Sequence, residues 1–325
     1  MKKRQRQRFL KQSRFAGAKM TALSADMSFR RYYRLSGATR PALLMDAPPP
    51  REDLRPFIKV AGHLHALGLS APALYDRDIE QGFLILEDFG EDTYTRLLAA
   101  GGDEWALYEL AIDTLCELHR QPRAVDIDLP SYDVDTLLRE ALLLPEWYLP
   151  WLRKCAVDED LCHSFREAWR ELLSRLPKIP RQLVLRDFHV DNLMHLPGRT
   201  GVAACGLLDF QDALLGPAAY DVMSLLEDAR RDIPAALAQQ MLQRYRRAMA
   251  MNDHDFDDFM IWYRVLAAQR HCKVLGIFVR FQQRQGNAMH LKHLPRVRRL
   301  LYSHLHREEL APLASWLEQA GGLQE

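Results

Sequence analysis

Asp187, Asn192 and Asp209 are the residues of this 325-residue chain whose types and spacing could do chemistry. Asp187 and Asn192 stand five positions apart in Leu185-Arg186-Asp187-Phe188-His189-Val190-Asp191-Asn192, and Asp209 follows in Gly206-Leu207-Leu208-Asp209-Phe210-Gln211-Asp212. One carboxylate can orient an attacking hydroxyl and accept its proton, while a second carboxylate and an amide oxygen can hold a hard cation such as Mg²⁺. Those are the demands of phosphoryl transfer, where a protein supplies positioning and charge rather than covalent chemistry. Taken singly, Asp187 or Asp191 would serve equally well as a turn or helix cap. The combination is what points to chemistry.

Two apolar runs must position these residues. Residues 182–185 and 202–208 bracket a polar loop with a Pro197-Gly198 turn and read as buried strands delivering carboxylates at their ends. Asp187 and Asn192 then share one loop, and Asp209 ends a neighbouring strand.

Residues 185–192 resemble the HGDxHxxN loop of the aminoglycoside phosphotransferase and choline kinase superfamily, and residues 206–212 resemble its metal-binding motif. Residues 205–216 and 220–232, with an Asp-x-Ser-Phe-Arg-Arg-Tyr pattern at residues 26–32, look most like its bacterial N-acetylmuramate/N-acetylglucosamine 1-kinases. The resemblance runs from about residue 24 to 301. It implies an α+β, bilobal, protein-kinase-like fold with a small antiparallel-sheet N-lobe, a mainly helical C-lobe and ATP between them. It also implies Asp187 as the base, Asn192 and Asp209 on Mg²⁺, Asp221 as a brace of the catalytic loop, and the anomeric hydroxyl of an amino sugar as acceptor in peptidoglycan recycling. A kinase for an aminoglycoside, choline or another sugar is the alternative within enzymes. A nucleotide-binding pseudokinase is the alternative outside them. Asp255, Asp257 and Asp258, the one dense acidic run, read as a solvated loop rather than an aminoglycoside site.

The expected domains are a basic arm (1–20), an N-lobe (21–90) and a C-lobe (91–325). A hairpin over residues 21–35 would cover the phosphates, but its turn has no glycine to let backbone approach them closely. Ser24, Asp26 and Ser28 would have to offer their backbone N–H groups instead. The strand at 41–45 puts Met45 where a kinase keeps its phosphate-binding lysine, and the helix at 53–67 has Lys59 and no central Glu. Both halves of the usual ion pair are missing, so another cation must meet the phosphates. Arg30, Arg31 and Arg34 are the nearest, with Arg30 and Arg34 on one strand face and Arg31 on the other. As plain surface charges they would look the same. The run 82–90 reads as a buried strand and interlobe connector, and the resemblance places Glu87 and Phe89 at the adenine.

Helices are expected at 105–119, 158–175, 220–229, 235–249 and 261–281. The last carries Arg264, Arg270, His271, Lys273 and Arg280 on an otherwise apolar helix, where a cation could meet a carboxylated sugar. Trp147, Tyr148 and Trp151 form an aromatic insert that either stacks on sugar or packs in the core. Charge is balanced, 44 Lys and Arg against 43 Asp and Glu, which argues against a nucleic-acid partner. Eight of the Lys and Arg fall in residues 1–19, read as a solvated arm or loose helix. Neither a signal-like run nor a membrane span is present, so a cytoplasmic protein without membrane partners is expected. Five cysteines without a CxxC spacing read as reduced and structural.

Overall fold

In a computed structural model the protein is described over residues 2–23, 29–37 and 39–322. The turn that includes Ser24, Asp26 and Ser28 lies outside the described residues. Contacts divide the chain into two compact units, Met1–Ile127 with Val190–Ala213, and Asp128–His189 with Leu214–Glu325. This is a different cut from the lobe boundary expected at residue 90.

The first unit opens with α1 (Lys2–Gln12), β1 (Lys19–Ala22), β2 (Arg31–Ser36), β3 (Ala42–Asp46), α2 (Arg55–Ala66), β4 (Leu74–Asp78) and β5 (Phe83–Glu87). Two helices follow, α3 (Tyr94–Ala99) and α4 (Glu104–Arg120), started by Thr93 and Asp103 side chains that accept the backbone N–H groups of Arg96 and Ala106, donors that the first turn leaves without a helical partner. The second unit begins with α5 (Val134–Ala141), a π-helical turn at Leu144–Tyr148, α6 (Leu149–Arg153), α7 (Glu159–Ser174) and β6 (Arg181–Val184). The chain returns to the first unit for β7 (Leu193–His195) and β8 (Cys205–Leu207). It completes the second with β9 (Leu214–Pro217), α8 (Ala219–Leu226), α9 (Ala235–Ala248), α10 (Asp253–Gln285), α11 (Leu294–His304) and α12 (Ala311–Gln319).

The five-stranded sheet runs β1-β2-β3-β5-β4, antiparallel throughout. β3 lies between two partners, and its residues are mostly buried, so the strand reads apolar on both faces. One face carries Leu35, Ala42, Leu44, Phe83 and Ile85, and against it pack Phe9, Leu10 and Phe15. The N-terminal segment is therefore a docked helix, not a solvated arm. Its three apolar residues all fall on the sheet side, and Arg6 closes the contact with an ion pair to Asp46 at 3.3 Å and a position over the Tyr33 ring. The opposite face of β3 presents Leu43 and the buried Met45.

Two expectations fail locally. The runs at 182–185 and 202–208 are not neighbouring strands, because β6 pairs with β9 and β8 pairs with β7. The true partners, 193–195 and 214–217, are too short to show a periodicity of their own. Asp255, Asp257 and Asp258 are not a loop but the first turns of α10, which Asn252 caps through the Asp255 N–H at 2.9 Å. Of the aromatic insert, Tyr148 is buried, while Arg284 lies over the Trp147 ring. Four of the five free cysteines are buried and Cys155 is exposed.

Candidate active site

In the second unit the chain leaves β6 and turns sharply at Arg186, whose φ of +71° is left-handed and unfavourable for a residue with a Cβ. Asp221 on α8 makes the turn possible. Its carboxylate accepts the backbone N–H groups of Leu185 at 2.6 Å and Arg186 at 2.8 Å, the bracing expected of it. Burial pushes the Asp221 carboxyl up to about 7 against those two hydrogen bonds and the charge of Arg270.

Asp187, next in the chain, is half-buried and faces Arg270 of α10, whose guanidinium donates to Asp187 Oδ1 at 3.3 Å, to the Arg186 carbonyl at 3.0 Å and to the Tyr220 hydroxyl at 3.1 Å. Burial alone would raise the Asp187 carboxyl. Arg270 first, then Lys273 and His189, outweigh it and hold Asp187 well below the usual carboxylate range. Beside it, Arg186 and Lys273 share the carboxylate of Glu140, Lys273 at 2.9 Å, and Tyr132 donates to the same group at 2.6 Å. A cavity of about 710 Å³ opens over Arg186, Lys273 and Glu140.

In the first unit Asn192 and Asp209 lie on the wall of a second cavity, about 400 Å³, with Leu43 and Leu86 from the sheet and Phe57 from α2. Asp209 follows β8 with a left-handed φ of +57°. Phe210 is buried and stacks on Phe57 at 5.1 Å, which fixes the backbone that carries Asp209. Gln211 donates to Asp209 Oδ1 at 2.9 Å. A carboxylate and amide oxygens on one cavity wall make a hard-oxygen donor set that suits Mg²⁺.

The three candidate arginines part company. Arg30 donates to Glu52 at 3.0 Å and lies 3.5 Å from Asp209 Oδ1, with its side chain 12% exposed. Arg34 is held by Asp88 and Glu91, each at 2.6 Å, and by the Gly90 carbonyl, so it anchors the segment after β5. Arg31 lines a separate cleft with Arg6, Asp46 and Arg51. Glu87 and Phe89 both line the second cavity, where Glu87 is paired with Arg199 at 2.5 Å and Phe89 lies against Gly206, at which a Cβ would come within 2.9 Å of the ring.

Sequence reasoning missed Glu52 and Glu140. Each sits in a stretch with no motif, a Pro-rich loop and an ordinary amphipathic helix, and only the fold gives either one a cationic partner. Arg270, Lys273 and Arg280 carried a signal in the cationic face of α10.

The chain matches the model of a phosphotransferase enzyme family over residues 19–259. An N-acetylmuramate/N-acetylglucosamine kinase of Pseudomonas aeruginosa is 38% identical over 307 residues, covering 92% of this chain and 88% of that protein. A kinase of the same name from Neisseria meningitidis is 35% identical, covering 94% and 92%. Among solved structures, an ADP-bound aminoglycoside phosphotransferase superposes with a TM-score of 0.58 at 16% identity, covering 88% of this chain and 94% of that one. A choline/ethanolamine kinase family protein from Mesorhizobium loti gives 0.62 at 12% identity, covering 98% and 100%. The fold is the protein-kinase-like one expected.

Proposed function

The chain belongs to the phosphotransferase enzyme family, and on that premise we propose that it is an ATP-dependent kinase for the anomeric hydroxyl of N-acetylmuramate and N-acetylglucosamine. The products are sugar 1-phosphates that return cell-wall sugars to use. What carries the reading is the match across 92% of the chain to a kinase named for these two sugars. Asp187, Asn192 and Asp209 stand where such a reaction needs them in the sequence.

Asp187 orients the acceptor hydroxyl and takes its proton at a carboxylate oxygen as the acceptor oxygen bonds to the γ-phosphorus. The bond from phosphorus to the β,γ-bridging oxygen breaks, and ADP leaves with the electron pair. A carboxylate kept strongly acidic by Arg270 is a weak base, which suits a loose transition state in which proton transfer comes late. Asn192 and Asp209 would hold Mg²⁺ through their side-chain oxygens, and the ion would neutralise and orient the phosphates. Arg30 adds a cation beside Asp209. The nucleotide occupies the cavity of the first unit, against Phe89 and Leu86. The supply of ATP places the reaction in the cytoplasm, and among the described residues no helix is long and apolar enough to cross a membrane.

Phosphorus NMR of the product tests this. The reading requires a phosphate resonance coupled to the anomeric proton when either sugar is incubated with MgATP. A 6-phosphate, or transfer to choline or an aminoglycoside with neither sugar touched, would refute it.

A further inference from the structure

The cavity of about 710 Å³ in the second unit has an uneven charge. Six cations line it, Arg139, Arg166, Arg170, Arg186, Lys273 and Arg280, against three acids, Asp135, Glu140 and Glu146. One of the three acids, Glu140, is already committed. Glu140 is consumed by Arg186 and Lys273, with Tyr132 and Gln269 donating to its other oxygen. Arg170 turns to Glu167 at 2.8 Å, outside the cavity lining.

Arg139, Arg166 and Arg280 remain. Among the described residues no carboxylate lies within ion-pair distance of any of them, although Arg166 and Arg280 are half-buried. Burial, and then the neighbouring Arg284, lower the Arg280 pKa from its ordinary value and outweigh the charge of Glu146, which marks a cation only partly compensated. Guanidinium groups left in that state on a concave wall form a receptor for a planar oxyanion, which they can grip through two parallel hydrogen bonds.

The helix fixes where the receptor sits relative to the chemistry. Arg270, Lys273, Ile277 and Arg280 follow a three- and four-residue spacing along α10 and so share one face. Arg270 touches Asp187, Lys273 reaches Glu140 one turn on, and Arg280 lies ten residues beyond Arg270, about 15 Å along the axis at the rise of a helix, a span that the long side chains at either end shorten. A hexose with its anomeric hydroxyl at Asp187 leaves the Arg280 end to a substituent that extends from the ring on an arm of its own, such as an ether-linked acid on C3.

We propose that this cavity is the acceptor site and that Arg280, with Arg166, binds the carboxylate of the lactyl ether of N-acetylmuramate, making these residues the determinants of preference for the acidic over the neutral sugar. The proposal rests on the amino-sugar reading above and adds to it the residues that tell the two sugars apart.

The test is the ratio of kcat/KM for N-acetylmuramate to that for N-acetylglucosamine in wild type, Arg280→Gln, Arg280→Lys and Arg166→Gln. A charge-assisted hydrogen bond contributes about 1.5–3 kcal/mol, so the ratio should fall roughly 10–100-fold in Arg280→Gln and recover in part in Arg280→Lys. Added salt should lower the wild-type ratio more steeply than that of Arg280→Gln, which keeps only Arg166. A ratio unchanged in both glutamine variants overturns the proposal, whatever happens to the separate constants. Calorimetric binding of N-acetylmuramate to wild type and Arg280→Gln reads the receptor without turnover. If neither sugar is phosphorylated, a tenfold weaker affinity in the variant still supports the carboxylate site, and equal affinities overturn it.

Discussion

At the scale of residues, this chain solves a charge problem in an unusual way. A kinase-like fold needs a cation for the nucleotide phosphates, yet the strand position that would hold a lysine is the buried Met45. A lone Lys or a lone Glu there would be a poorly compensated charge, so losing both is the less costly change. On the proposed reading Arg30 takes up the vacancy from outside the sheet: its ε-nitrogen pairs with Glu52, and its terminal nitrogen reaches toward Asp209. Arg34, within β2, is engaged by Asp88 and Glu91. Arg30→Ala should therefore raise the KM for ATP by roughly tenfold or more, the loss of about 1.5–3 kcal/mol of charge-assisted contact, while Arg31→Ala leaves it within about twofold. Steady-state titration of ATP at saturating sugar checks this. A KM for ATP unchanged in Arg30→Ala would show that Arg30 is not the phosphate cation. The sequence narrowed the choice to three arginines but could not separate them, because the partners that distinguish them, Glu52, Asp88 and Glu91, come from segments distant in the chain.

At the scale of elements, α10 is the organising piece of the second unit. It runs 33 residues, and its polar and apolar positions are both largely buried, which is why its sequence pattern looked anomalous for a surface helix. Gly276 in its middle costs about 1 kcal/mol of helix propensity relative to Ala. It is required because a Cβ there would come within 2.2 Å of the Leu143 carbonyl oxygen. One turn before Gly276, His271 reaches Glu227, which His304 of α11 also meets, at 2.8 and 2.9 Å. Burial pushes the Glu227 carboxyl up, but the hydrogen bonds from His271 and His304 outweigh it and bring it down to about 2. A carboxyl lowered by folding contributes stability that is present above its ordinary value of 4.5 and lost as pH falls toward 2. Glu227→Gln should thus be less stable than wild type by roughly 3 kcal/mol at pH 7, with the gap narrowing as pH falls from 4.5 toward 2. Denaturant unfolding at several pH values measures it, and a gap that stays constant with pH would contradict the assignment. The middle of this helix was legible at 261–281, but its acidic first turns read as a loop. The short strands at 193–195 and 214–217 were not, because pairing rather than local pattern makes them strands.

At the scale of the whole molecule, chemistry is divided between two compact units. The chain crosses from the second to the first between His189 and Val190, so the loop from Asp187 to Asn192 begins in one unit and ends in the other. The metal-binding and nucleotide-contacting candidates belong to the first unit, and the proposed base with its proposed acceptor cavity belongs to the second. The motifs made this legible in part, since Asp187, Asn192 and Asp209 stood out by spacing. The supporting charges did not, because Arg270 and Glu140 acquire their roles only when α5 and α10 pack together. Division of labour implies that removing the base should silence transfer without disturbing nucleotide. The decisive measurement is Asp187→Asn assayed for N-acetylmuramate phosphorylation at saturating MgATP, alongside MgATP affinity by calorimetry. The account predicts a kcat lower by roughly 10²–10⁴-fold with affinity for MgATP unchanged; a variant that turns over within tenfold of wild type would remove Asp187 from the reaction.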